Sequence, residues 1–221
     1  MTFKPSIVPL GDSAMLIQLG DEIDLTVNQK VHTLASLIGA APLEGLIETV
    51  PAYRTLLVHY DPLALSNMQL REWLRAKVEQ IGQAHVKKPR QIVVPVQYGG
   101  EYGVDLEFIA DFHHIPVGEV VQLHTSRTYI VYMMGFTPGF PYMGKLDEAI
   151  ATPRLETPRT RVPAGTVAIA GFQTGIYPID SPGGWRLIGY TPLQLFDPAA
   201  DTPFLFSPGD EVRFVEDTHV A

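Results

Sequence analysis

No cysteine occurs among the 221 residues of the chain. That absence excludes a disulfide scaffold, a zinc site with thiolate ligands and a thiol nucleophile. Long apolar runs are missing too, none approaching the roughly 18 residues that a membrane span requires. The opening Met1-Thr2-Phe3-Lys4-Pro5 lacks the apolar stretch of a secretory signal. Positive charge is scarce, with 16 Lys and Arg against 24 Asp and Glu and a net charge of −8. This balance argues against non-specific binding to nucleic acid or to an anionic membrane. There is no Gly-x-x-x-x-Gly-Lys-Ser/Thr loop, no Gly-x-Gly-x-x-Gly, no His-Glu-x-x-His and no Gly-x-Ser-x-Gly elbow. His113 and His114 are adjacent, so on a helix they would point about 100° apart and could not grip one metal together. The expectation is a soluble, cytoplasmic protein with no metal site.

What the chain does have is unevenly spread. Of 19 prolines only Pro5, Pro9, Pro42, Pro51 and Pro62 precede Pro89; of 19 glycines only Gly11, Gly20, Gly39, Gly45 and Gly82 do. Two domains follow from that break, residues 1–88 and 89–221. In the first, Ser6 to Pro9 and Ser13 to Leu19 have strand character around Leu10-Gly11-Asp12. Asp24 suits an N-cap for a helix carrying Val27, Val31, Leu34, Ala35 and Ile38, closed by Gly39. Leu46–Val50 and Arg54–Tyr60 read as strands. Ser66 and Gln69 form a capping box before Leu70, Trp73, Leu74, Val78 and Ile81, and Gly82 stops that helix. The order ββαββα predicts a two-layer α+β domain with two helices on one face of a four-stranded antiparallel sheet. A ferredoxin-like arrangement is the alternative if the first strand is absent.

The second half predicts strands at Gln91–Gln97 and Tyr129–Met133, with short helices at Asp105–Phe112 and Pro116–His124. Beyond Gly135, short apolar stretches (Val167–Ala170, Ile176–Ile179, Arg186–Ile188, Glu211–Val215) alternate with Pro/Gly turns, the spacing of an all-β barrel or closed sandwich.

Three segments there could carry chemistry. Gly135-Phe136-Thr137-Pro138-Gly139-Phe140-Pro141-Tyr142-Met143-Gly144 sets three aromatics among glycines and prolines, which permits rigid, irregular backbone. Phe136, Pro138, Gly139, Phe140 and Tyr142 would form either a wall for a ligand or partner, or a barrel corner whose rings fill the core. Arg154, Arg159 and Arg161 form a basic island that fits an anion site and equally fits three surface arginines. Gly171-Phe172-Gln173-Thr174-Gly175 and Ser181-Pro182-Gly183-Gly184-Trp185 offer an amide at Gln173 and open backbone at Gly183 and Gly184. The alternative is plain turns around a buried Trp185. Ser181 has no histidine near it in sequence to make it a nucleophile.

On these residues the chain resembles a bacterial family. It comprises the B subunit of 5-oxoprolinase, proteins called allophanate hydrolase subunit 1 and an inhibitor of a sporulation histidine kinase. The matching stretches are Gly135–Gly144, Thr157–Gly165, Gln173–Pro178, Ser181–Gly189, Leu195–Pro198 and Ser207–Phe214, with Pro9–Ser13 and Val50–Arg54 in the first half. Lys145 and Glu148 stand where glycine and proline are expected. Tyr190 replaces an expected arginine, which would remove one positive charge from the site. The resemblance implies a cyclophilin-like barrel for the second domain, and the C and A subunits of 5-oxoprolinase as partners. It implies an ATP-dependent opening of 5-oxoproline to glutamate in which this chain is inactive alone, with ATP bound at a place that no residue here identifies. Under it, Arg154, Arg159 and Arg161 would bind the anion and Gln173 the amide. Gly183 and Gly184 would donate backbone N–H groups, and Phe136, Phe140 and Trp185 would wall the site. The competing expectation is a protein-binding inhibitor of a sensor histidine kinase, using the aromatic loop as a docking patch.

Overall fold

The structure is a computed structural model that describes residues 3–83 and 89–217. The chain divides into two compact units, Met1–Lys88 and Pro89–Ala221.

The first unit runs β1 (Ser6–Pro9), β2 (Ala14–Gln18), α1 (Leu25–Ala40), β3 (Leu46–Pro51), β4 (Thr55–Tyr60) and α2 (Asn67–Gln80), with a 3-10 turn at Ile81–Gln83. Its sheet has the order β1-β2-β4-β3 and every pairing is antiparallel. Alternate residues of the central strands face the helices: Met15 and Ile17 from β2, and Leu56, Val58 and Tyr60 from β4. They meet Val31, Leu34 and Ile38 of α1 and Leu70 and Leu74 of α2 in one core. Both helix starts are fixed locally. The Asp24 carboxylate accepts from the Thr26 and Val27 N–H groups, and Ser66 and Gln69 close the reciprocal box. Gly39 does not end α1; the helix continues through Ala40, because nothing at Gly39 forces a left-handed turn there.

The second unit contains β5 (Gln91–Tyr98), α3 (Leu106–His113), α4 (Val117–Thr125), β6 (Thr128–Met134), β7 (Pro141–Gly144), β8 (Arg159–Val162), β9 (Thr166–Ala170), β10 (Gln173–Ile176), β11 (Ser181–Gly183), β12 (Arg186–Tyr190) and β13 (Glu211–Glu216). Seven strands close a barrel in the order β10-β7-β6-β13-β5-β12-β9, mixed because β13 runs parallel to β5. The remaining two, β8 and β11, pair as a separate ribbon. The strand expected at Ile176–Ile179 lies earlier in the chain. Ala170 pairs with Gln173, so Gly171, at φ +53°, and Phe172 form a two-residue hairpin turn that starts β10 at Gln173. Pro178, lacking an N–H, falls outside the strand.

The period of two on β9 and β12 decides where a site can form. Val167 and Ile169 of β9 and Ile188 of β12 belong to the large core, together with Val94, Tyr129, Val212 and Phe214. Their neighbours Ala168 and Leu187 lie in a second cluster with Phe140, Val162 and Tyr177. Residues one apart on a strand face opposite sides, so one wall separates the two clusters. Val162 brings the β8–β11 ribbon over that second face.

The large core also holds a polar chain. His124 is fully buried, with Nε2 2.9 Å from Thr174 Oγ1 and Nδ1 2.6 Å from the Tyr98 hydroxyl. Thr174 donates its own proton to the Ala168 carbonyl, so Nε2–H donates to Thr174 and Nδ1 accepts from Tyr98. Burial pulls the imidazole pKa down to about 3 and pushes the Tyr98 phenol up.

Candidate functional site

The smaller cluster opens into a cavity of about 260 Å³. Phe140 is its hub. Its ring stands edge-on to Phe136, Tyr177 and Trp185, with centroids 5.7, 5.2 and 5.3 Å away, and tilts against Tyr142 at 4.9 Å. Edge-to-face contacts of this kind add roughly 0.5–1.5 kcal/mol each beyond the area they bury. The local backbone explains the density. Gly135, Thr137 and Phe140 form consecutive tight turns, with Thr137 N–H on Gly135 O at 2.8 Å and Phe140 N–H on Thr137 O at 3.1 Å. Phe136 adopts φ 64° and Gly139 φ +87°. A side chain at Gly139 would begin 3.0 Å from Phe196 Cβ, so glycine is needed there for both conformation and space. Pro138 is exposed and does not line the cavity.

The rest of the lining comes from two further segments, Arg154 and Pro158 on one side, and Tyr177 with Pro182, Gly183, Gly184 and Trp185 on the other. Gly183 is pressed against the Tyr177 hydroxyl, and a Cβ there would lie 2.2 Å from it. Gly184 instead faces the Arg154 guanidinium, whose Nε and Nη2 lie 3.6 Å from where a Cβ would be. Its carbonyl accepts from the Leu155 N–H at 2.7 Å, which ties the arginine segment to the glycine segment.

Charge within the site is simple. Arg154 makes no ion pair or hydrogen bond among the described residues. Tyr142 and Tyr177 both have phenol pKa values pushed up, mainly by burial; the nearby Arg154 partly offsets this in each, and the Trp185 backbone bond does so in Tyr177. Both hydroxyls are therefore protonated near neutral pH. The cavity presents one guanidinium, two neutral phenols and apolar walls, a combination suited to a small anion with a flat apolar body.

The three arginines of the basic island part company. Arg154 lines the cavity. Arg159 turns to Asp105, Nη2 to Oδ1 at 2.9 Å, and reaches the Trp185 carbonyl with Nη1 at 3.4 Å. Arg161 is 76% exposed and bonds Asp180 through Nε and Nη2 at 2.9 and 2.7 Å. Gln173 opens β10 and is not in the lining. Ser181 pairs with Val162 in the ribbon, and its buried Oγ finds no hydrogen-bond partner among the described residues. Tyr190 stacks on Tyr102 with centroids 4.5 Å apart and lies outside the lining. The expected loss of a positive charge there therefore does not touch the cavity. His113 bonds Thr152 Oγ1 at 3.0 Å. No group of metal-ligating side chains occurs among the described residues. Sequence reasoning missed Tyr177, Pro158 and Asp105. Tyr177 sits inside the motif Gln173–Pro178, but nothing in its neighbours distinguishes a lining ring from a core ring.

Comparison with known proteins gives a consistent picture. The family described as "Carboxyltransferase domain, subdomain C and D" matches residues 5–206. The 5-oxoprolinase B subunit of Bacillus subtilis (strain 168) is 44% identical over 225 residues, spanning 97% of this chain and 94% of that protein. The 5-oxoprolinase B subunit of Escherichia coli O157:H7 is 40% identical, spanning 93% of each. Among solved structures, TTHA0988 superposes with a TM-score of 0.82 at 39% identity. That match covers 94% of this chain and 40% of the other, so TTHA0988 carries substantial sequence with no counterpart here.

Proposed function

The chain belongs to the family of the carboxyltransferase domain, subdomains C and D, and on that premise we propose that it is the B subunit of a multi-subunit, ATP-dependent 5-oxoprolinase. The observation that carries the reading is the end-to-end likeness to two proteins of that name. The A and C subunits of such an enzyme are its partners in this proposal. The division into a small α+β domain and a cyclophilin-like barrel domain belongs to it too.

The chemistry asks for what the cavity offers. 5-Oxoproline is a five-membered lactam with one carboxylate. Amide resonance makes the ring a poor electrophile, so opening it requires fixed orientation, activation and control of water access. Arg154 grips the carboxylate through its planar fork, for which no lysine would substitute equally. Phe140 and Trp185 pack against the ring. The protonated hydroxyl of Tyr177, a lining residue, is a donor for the lactam carbonyl. ATP supplies the energy of ring opening in the assembled complex, and no residue of this chain is assigned to it. Arg159, Arg161 and Gln173 have supporting places in this reading rather than ligand contacts.

The test is reconstitution. The A and C subunits with this chain should release glutamate from 5-oxoproline in an ATP-dependent reaction that stops when the chain is omitted. Glutamate release that continues without it would overturn the proposal. So would a chain that ignores those two subunits and instead slows autophosphorylation of a sensor histidine kinase.

A further inference from the structure

Arg154 is unopposed at the cavity while Arg159, five residues on, is not, and the difference lies in Asp105. This residue occupies the N-cap position of α3, where an aspartate ordinarily accepts from the first turn of the helix. It makes no such bond. The carboxylate turns the other way, and it is buried. Oδ1 accepts from Arg159 Nη2 at 2.9 Å, and Oδ2 accepts from the Leu187 N–H at 2.7 Å. Arg186 approaches Oδ1 with Nη1 at 3.7 Å, but its guanidinium lies 3.9 Å over the Phe108 ring and its Nε donates to the Pro153 carbonyl. Arg159 reaches the cavity wall directly, its other nitrogen donating to the carbonyl of Trp185 at 3.4 Å.

We propose that Asp105 sets the charge selectivity of this cavity. By pairing with Arg159 at the Trp185 wall, it leaves Arg154 as the one unpaired guanidinium lining the cavity among the described residues, so the site takes monocarboxylates with an apolar body and disfavours dicarboxylates of similar size. The proposal rests on the reading of the cavity as an anion site. Asp105 touches no ligand and acts through Arg159, so it is a positioning residue. It also holds Leu187, two residues beyond Trp185, which keeps the wall and its counter-charge in fixed register.

The test uses the full chain in a Trp73→Phe background, so that Trp185 reports binding by fluorescence. 5-Oxoproline is the monoanion probe and glutarate the dianion probe. Asp105→Asn keeps an acceptor for the Leu187 N–H but removes the charge. It should raise glutarate affinity relative to 5-oxoproline several-fold, because an uncompensated charge beside the wall attracts the second carboxylate through an effective dielectric of about 20. Adding Arg159→Gln to that variant should restore the original ratio, which a merely structural role for Asp105 would not do. If Asp105→Asn fails to fold, Arg159→Gln alone carries the test. It leaves Asp105 with Arg186 alone beside it, at 3.7 Å, and should weaken glutarate more than 5-oxoproline; equal losses overturn the proposal. An unchanged ratio in Asp105→Asn overturns it as well, while leaving the anion site standing. Binding of 5-oxoproline that is indifferent to Arg154→Ala removes the anion site, and the proposal with it.

Discussion

Gly183→Ala is the sharpest perturbation of the site's framework. Neither Gly183 nor Gly184 has positive φ, so alanine is conformationally allowed at both and any effect is steric. At Gly183 the new methyl would lie 2.2 Å from Tyr177 Oη, 2.7 Å from Cζ and 2.8 Å from Cε1. An ordinary contact needs about 1 Å more. Tyr177 has little room to retreat, being buried with the Phe140 ring 5.2 Å from its own. Overpacking of this sort costs about 1–3 kcal/mol, which for a unit of this size lowers the melting temperature by roughly 3–10 °C. The displaced phenol also loses its bond to the Trp185 backbone, so the aromatic wall should loosen. Gly184→Ala is the control. Its methyl meets Pro158 at 3.5 Å and Arg154 at 3.6 Å, both ordinary contacts, and should leave the melting temperature within about 2 °C of the parent protein. Differential scanning calorimetry with near-ultraviolet circular dichroism reads both quantities. Equal melting temperatures for Gly183→Ala and the parent would refute the packing described for Tyr177.

His124 predicts a pH dependence. Its folded pKa of about 3 lies below the ordinary value of 6.5, so between those values the unfolded chain holds a proton that the folded chain does not. Its contribution is complete above about pH 6.5 and is lost on acidification, at about 1.4 kcal/mol per pH unit. Urea titrations at pH 7.0, 5.5 and 4.5 should show a steeper loss in the parent than in His124→Gln; parallel slopes would contradict it. In the first unit, Ser66→Ala removes the two bonds made by the Ser66 hydroxyl, from the Gln69 N–H and to Gln69 Oε1, and should cost about 1 kcal/mol, measured by urea denaturation. No loss would mean the box does not hold the start of α2.

The legible parts of the fold were those set by local rules. Asp24 and the Ser66–Gln69 pair announce their helices because a short polar side chain beside an apolar period of 3.6 has few other uses. The strands of the barrel rich in branched residues, such as Gln91–Tyr98 and Glu211–Glu216, were legible for a similar reason. β10 was misplaced because Gly171-Phe172 reads as part of a loop until its pairing partner is known. The aromatic loop was recognisable as unusual, yet its rings do both things the sequence allowed. Phe140 is buried as a core hub, whereas Phe136 remains 61% exposed at the rim. Charge was the least legible part. Arg154, Arg159 and Arg161 are equivalent in sequence. What separates them is Asp105, more than fifty residues from Arg159 in the chain, and Asp180, across the β8–β11 ribbon. Pairings of that kind depend on topology and leave no local pattern.

Steady-state kinetics of the reconstituted complex with Arg154→Ala, beside Arg161→Ala, bear most directly on the central assignment. Removing a charge-assisted contact at a partly solvated site should raise KM for 5-oxoproline about tenfold or more. Arg161→Ala, which breaks only an exposed pair with Asp180, should stay within about twofold of the parent. An Arg154→Ala complex with unchanged KM and kcat, or an Arg161→Ala complex that is the more impaired of the two, would contradict the assignment.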